Sequence, residues 1–128
     1  MQELPSIEPS LRVPALVKDS NPSGTMFGGW LMGQVDIAGS IPALVRAKGP
    51  VVTVSMHEMN FYAPLFPGDL VSLYAKVIAS GKTSIRVHID CWVQRYAGNM
   101  ECFKAAQAVI VYVAIDKRGM KRDLPEAD

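Results

Sequence analysis

The spacing of apolar residues along this chain changes once, at Pro50. Before it, Met26 to Val45 is apolar or small at almost every position, a run too long for a strand that reads as one helix starting near Gly28 or Gly29. Lys48, Gly49 and Pro50 mark its end. Pro42 lies inside the run, has no N–H for the Ala38 carbonyl, and is expected to kink the last turns. After Pro50 the period is two. Val51 opens a strand that can run to Phe61, and Ala63 to Asp69 is a turn ruled by Pro64 and Pro67. Leu70 to Ala79 is the next strand, reversed at Ser80-Gly81-Lys82. From Ser84 to Gln94, Ile85, Val87, Ile89, Cys91 and Val93 alternate with Arg86, His88, Asp90, Trp92 and Gln94. A turn at Gly98-Asn99 leads into Phe103 to Ile115, apolar on both faces as an interior strand would be. Upstream, Leu11 to Val17 is a short strand that Pro14 confines to an edge, followed by a loop from Lys18 to Gly24.

Strand, long helix, then four strands joined by short turns make an α+β chain with a mainly antiparallel sheet. One apolar helix must lie across that sheet to be buried. At 128 residues the whole chain, 1–128, is expected to be a single domain. Its sheet is too apolar on the far face and too long at its edges for a comfortable monomer, so at least a dimer is expected.

Composition narrows the function classes. A net charge of +1 gives nucleic-acid binding no electrostatic support. The first ten residues, with Glu3 and Glu8, do not read as a secretory signal. Thr25 to Val45 is long enough to raise the question of a membrane span, but its glycines, Gln34, Asp36 and Pro42 argue against insertion. Cys91 falls opposite Ala106 in the expected hairpin rather than opposite Cys102, so free thiols in a reducing cytoplasm are expected. His57 and His88 lack metal-ligand spacing, two cysteines on different strands assemble no zinc site, and no Gly-x-Ser-x-Gly elbow is present.

The candidate chemistry centres on Asp36, the only ionisable side chain between Asp19 and Arg46. At helical spacing Gly29, Gly33, Asp36 and Ser40 form one stripe, small everywhere except at the acid. A helix that clears bulk from around one carboxylate leaves room for a ligand or another backbone to reach it. The alternative is an acid that serves only the packing of the helix. A second local feature is the basic cluster Lys117, Arg118, Lys121 and Arg122, either a solvated tail or an arm that holds a phosphorylated ligand.

The run Asp19-Ser20-Asn21-Pro22-Ser23-Gly24-Thr25-Met26-Phe27-Gly28-Gly29-Trp30-Leu31-Met32-Gly33-Gln34-Val35-Asp36 closely resembles the motif of hot-dog-fold acyl-CoA thioesterases of the YciA type. That pattern is an Asn, a Gly three residues on, a Phe-Gly-Gly-Trp-like helix start and an Asp within the helix. The resemblance continues through Val51-Val52-Thr53-Val54, Met59-Asn60-Phe61, Pro64, Gly68-Asp69, Gly81-Lys82-Thr83-Ser84 and Trp92-Val93. It extends to Gly119, Lys121, Arg122 and Leu124-Pro125, with Pro42 standing where the family has an ordinary helix former.

The resemblance implies a hot-dog dimer, commonly assembled as a trimer of dimers into a hexamer, that hydrolyses acyl-CoA with broad acyl specificity. It needs no cofactor, since coenzyme A is part of substrate and product. It implies that Asp36 on one subunit's helix meets Asn21 on a loop of its neighbour, and that Gly81, Lys82, Thr83 and Ser84 approach the pantetheine-phosphate region. Lys117, Lys121 and Arg122 are the matching basic candidates. From the chemistry of the reaction, Gly28 and Gly29 at the helix N-terminus would supply an amide to the developing oxyanion. Two other functions remain open from sequence: a hot-dog dehydratase or hydratase, which would pair a histidine with the acid, and a non-enzymatic module that responds to acyl-CoA.

Overall fold

The computed structural model describes residues 2–127. The order is β1 (Leu11–Pro14), a single 3₁₀ turn (Val17–Asp19), α1 (Gly28–Ala47), β2 (Val51–Phe61), β3 (Leu70–Ser80), β4 (Ser84–Arg95) and β5 (Glu101–Ala114). All five strands form one sheet in the order β1-β3-β4-β5-β2, and each neighbouring pair is antiparallel. The element types, the helix start and the strand β2 are as the sequence pattern indicates. The first strand is shorter than expected, Leu11–Pro14; just beyond it the Ala15 amide still bonds the Asp69 carbonyl at 2.8 Å, and the chain then turns through Val17–Asp19.

The helix lies against one face of the sheet and touches every strand. Leu31, Val35, Ala38, Ala43 and Ala47 are its buried stripe, set against Val87, Ile89, Ile110 and the aliphatic residues around them. Small residues on both surfaces, among them Gly39, Ala106 and Ala108, bring helix and sheet close together. The helix passes through Pro42 without a break and ends at Lys48, which takes a left-handed φ of 54° and donates its N–H to the Leu44 and Val45 carbonyls.

Only one side of α1 is covered by the sheet. Ile37, Ile41, Leu44 and Val45 are exposed, Val45 at 69%. A single sheet can cover one face of a helix and no more, so the described residues leave this apolar side largely uncovered. The adjacent sheet edge is β2, eleven residues long, with Val52 and Val54 also exposed. Cys91 pairs with Ala106 across β4 and β5, as expected, and both cysteines are free. Burial, aided by neighbouring Asp90, pushes the Cys91 thiol up to about 12, so it is a core residue rather than a nucleophile.

Candidate active site

Asp36 is held at two points by one rung of the sheet. Thr53 Oγ1 donates to Asp36 Oδ1 at 2.6 Å, and the Tyr112 hydroxyl donates to the Asp36 backbone carbonyl at 2.6 Å. Thr53 and Tyr112 are direct partners across β2 and β5. The register slips just after Thr53, between it and Ser55, a bulge that re-aims the edge strand beside the acid. Burial, then the Asp36 charge, raises the tyrosine far above its ordinary range, so it stays a proton donor. Neither Thr53 nor Tyr112 was singled out in the sequence. Their separations from Asp36, 17 and 76 positions, carry no periodic signal, and only the docking of helix on sheet joins them.

Of the other members of the small stripe, Gly29 and Gly33 are exposed, with nothing within 4 Å of an added Cβ, and half-buried Ser40 donates its hydroxyl to the Ile37 carbonyl at 2.6 Å. The acid therefore stands on an open face of α1. At the helix N-terminus, Phe27 caps without a side-chain hydrogen bond, and the first intrahelical donors are Trp30 and Leu31, to the Phe27 carbonyl. The Gly28 and Gly29 amides point out of the helix unpaired, as first-turn amides do. Beside them lies a cleft of about 260 Å³ lined by Met26, Phe27, Gly28, Leu31 and residues 61–65. Its far wall is fixed from behind. Arg95 makes a two-point ion pair with buried Asp69, 2.9 Å on each side, and also donates to the Pro64 carbonyl at 3.1 Å. Its guanidinium lies over the rings of Phe66 and Phe103, at 4.8 and 5.0 Å from their centroids.

Asn21 is engaged with its own loop. Its Oδ1 accepts from the Ser23 and Thr25 amides at 2.9 and 3.2 Å, and its Nδ2 donates to Thr25 Oγ1 at 2.8 Å. Neither Asn21 nor Asp36 lines the cleft beside Gly28. One chain thus presents the three elements of the expected site separately.

The candidate coenzyme A residues do gather at one corner, by the helix C-terminus. The Gly81 amide donates to the Ser84 carbonyl at 2.9 Å, the Ala114 amide to Thr83, and the Leu124 amide to Lys82, so the β3–β4 turn and the C-terminal segment are stitched together. Lys82, Lys117 and Lys121 are exposed there. Arg122 is different. Its guanidinium donates to the Ala47 carbonyl at 2.7 Å and to the Ile115 carbonyl at 3.0 Å, closing the end of α1. Asp36 lies eleven residues before Ala47, about 17 Å along the helix axis.

Both histidines are away from the acid. His57 Nε2 contacts Ser55 Oγ at 2.9 Å on the edge strand, and His88 Nε2 contacts Asp90 Oδ1 at 2.8 Å on the sheet face away from α1. Lys104 shares Asp90 at 2.9 Å. Among the described residues, no three His, Cys, Asp or Glu side chains gather as a metal site would require.

A long helix laid on a five-stranded antiparallel sheet, with an acid on its open face and free amides at its start, defines a hot-dog protein. The thioesterase superfamily model matches residues 23–95. The acyl-CoA thioester hydrolase YciA of Salmonella typhimurium is 42% identical over 127 residues, 98% of this chain and 96% of that protein. The hexameric thioesterase y2039 of Yersinia pestis superposes with a TM-score of 0.90 at 44% identity, covering 97% of this chain and all of that one. HI0827, described as a hexameric broad specificity acyl-coenzyme A thioesterase and solved with an aspartate replaced by alanine, gives a TM-score of 0.89. Its identity is 36%, over 94% of this chain and 88% of that one. The chain belongs to the thioesterase superfamily and, within it, to the family of YciA acyl-CoA thioester hydrolases.

Proposed function

We propose that this protein hydrolyses acyl-CoA thioesters of varied acyl length to carboxylic acid and coenzyme A, in an active site built between two copies of the chain. The observation that carries the reading is the Asp36 carboxylate, fixed by Thr53 on an open, glycine-flanked helix face. Water adds to the thioester carbonyl carbon, the C–S bond breaks, and the thiolate leaves to take up a proton. Asp36 either takes the proton from that water or attacks the carbon itself to form an anhydride that water then opens. The negative charge developing on the carbonyl oxygen is met by an amide of Gly28 or Gly29, reinforced by the positive end of the helix dipole. Such a donor is worth about 3 kcal/mol elsewhere. The chemistry requires no cofactor.

A second copy would cover the apolar side of α1 and the free edge of β2, and bring its own loop with Asn21 towards Asp36. The uncovered Ile37, Leu44 and Val45 favour this arrangement, and hexamers are on record for y2039 and HI0827. We read this chain, as a single domain, in the same way, as a trimer of dimers acting in the cytoplasm, where its two unpaired thiols would persist. The β3–β4 turn at Gly81 to Ser84, with Lys82, Lys117 and Lys121, would hold the phosphates of coenzyme A. Incubating the pure protein with acyl-CoAs of graded length and counting released thiol tests the reading. Thiol release over a range of lengths, lost in Asp36→Asn with the assembly intact, is the expected result. A fully active Asp36→Asn protein would remove Asp36 from the chemistry.

A further inference from the structure

Of the four glycines of α1, Gly39 is the one pressed against the sheet. A Cβ built there would collide with the Tyr112 hydroxyl oxygen and would lie 3.0 Å from Ile89 Cδ1 and 3.2 Å from Tyr112 Cε2. No other glycine of α1 is under such pressure: Gly28 meets only the Phe61 ring, at 3.7 Å, while Gly29 and Gly33 meet nothing. Gly39 is one turn beyond Asp36, and the group it makes room for is the hydroxyl that bonds the Asp36 carbonyl. That carbonyl already accepts the N–H four residues on in a regular helix, so the tyrosine bond uses its second lone pair and ties helix to sheet. The ladder is thinnest just beyond, since Pro42 offers no N–H to Ala38. A tether at Asp36 therefore stands within one turn of the bond that the helix lacks.

We propose that Gly39 and Tyr112 are positioning residues for Asp36, setting the distance between its turn of helix and the sheet and so the place of the carboxylate. Resting on the reading of Asp36 given above, this assigns a task to two residues that touch no substrate. Tyr112, 1% exposed, cannot shift its hydroxyl without leaving it unsatisfied in the core. Thr53, its partner across the rung, holds the carboxylate, so carbonyl and carboxylate of one residue are referenced to one point of the sheet. A displacement of about 1 Å in such a group can cost on the order of a hundredfold in rate.

The test is a set of steady-state measurements on the assembled protein, at a temperature where circular dichroism shows each variant folded. Gly39→Ala should lower kcat at least tenfold with KM within twofold of wild type. Tyr112→Phe, which keeps the ring and removes only the tether, should lower kcat two- to fivefold. The double variant Gly39→Ala/Tyr112→Phe should be more active than Gly39→Ala alone, because the atom that the new methyl strikes first has gone. A role in stability alone would leave kcat unchanged in the folded variants. Wild-type kcat in Gly39→Ala, or a double variant no better than Gly39→Ala, overturns the proposal. Asp36→Asn measured alongside separates the two readings. If it is dead while Gly39→Ala keeps wild-type kcat, only the positioning fails. If it is active, the role of Asp36 fails.

Discussion

The Thr53 hydroxyl meets the Asp36 carboxylate at 2.6 Å across the seam between the edge strand and the helix. Hydrogen bonds from a hydroxyl to a carboxylate oxygen are short and strong, and this one ties a single oxygen of Asp36, Oδ1, to the sheet. Thr53→Val keeps the shape and loses the donor. We expect kcat to fall about tenfold, or about 1.4 kcal/mol of barrier, with KM little changed. Thr53→Ser should restore most of the rate. Equal losses in the valine and serine variants would mean that packing, not the hydroxyl, is what Thr53 supplies.

Arg95 closes an ion pair with an acid that is 1% exposed, and the same guanidinium carries the Pro64 wall of the cleft. Arg95→Met would strand the Asp69 carboxylate in the core, where breaking a buried pair costs about 3 kcal/mol. Thermal unfolding should show a midpoint lower by about 10 °C. Arg95→Met/Asp69→Leu should recover part of the loss, because neither charge is then left alone. A double variant less stable than Arg95→Met would show that Asp69 does more through its bond to the Phe66 amide than through Arg95.

The fold was legible because its signals are local. The alternation through β4, the stop at Lys48-Gly49-Pro50 and the proline at the edge of β1 each act within a few residues. The half-covered helix was not, since Ile37 and Val45 are as apolar as the buried Leu31 and only the reach of the sheet separates them. In the site, Asp36 stood out through its own surroundings, a charge in an apolar run. Its partners did not. Thr53 is one of several threonines in strand or turn contexts, and Tyr112 looks like any residue of an interior strand. Arg122 is hidden for the same reason: its charge is visible in sequence, but its bonds to the carbonyls of Ala47 and Ile115 are a matter of tertiary position.

That use divides the basic cluster in two. Lys82, Lys117 and Lys121 are exposed, and their combined replacement by Gln should raise KM for acyl-CoA several-fold with kcat unchanged, since phosphate contacts bind ground and transition states alike. The effect should shrink in high salt, which screens exposed charges. Arg122→Gln should instead lower thermal stability, by opening the helix end. An unchanged KM for the triple lysine variant at low ionic strength would return those lysines to being a solvated surface.

Asn21 and Asp36 are anchored independently, one in its own loop and one on the Thr53–Tyr112 rung. If they serve one site only across a dimer interface, each single variant, Asn21→Ala and Asp36→Ala, will be nearly dead as a homodimer. Chains of the two variants, dissociated and reassembled together, should then regain activity. In a mixed dimer one site collects both lesions, while the other keeps an intact Asn21 from one chain and an intact Asp36 from the other. Random pairing makes half the dimers mixed, each with one sound site of two, so activity should approach about a quarter of wild type for independent sites. Mass spectrometry of differently tagged chains establishes that exchange has occurred. Because Asn21 also holds the Ser23 and Thr25 amides, its removal can loosen the loop as well as the site. Mixing still discriminates, since a loosened loop on one chain leaves the loop of the other intact. Proven exchange with no recovery would mean that both residues act within one chain, or that Asn21 does no more than shape its turn, and either result defeats the shared site.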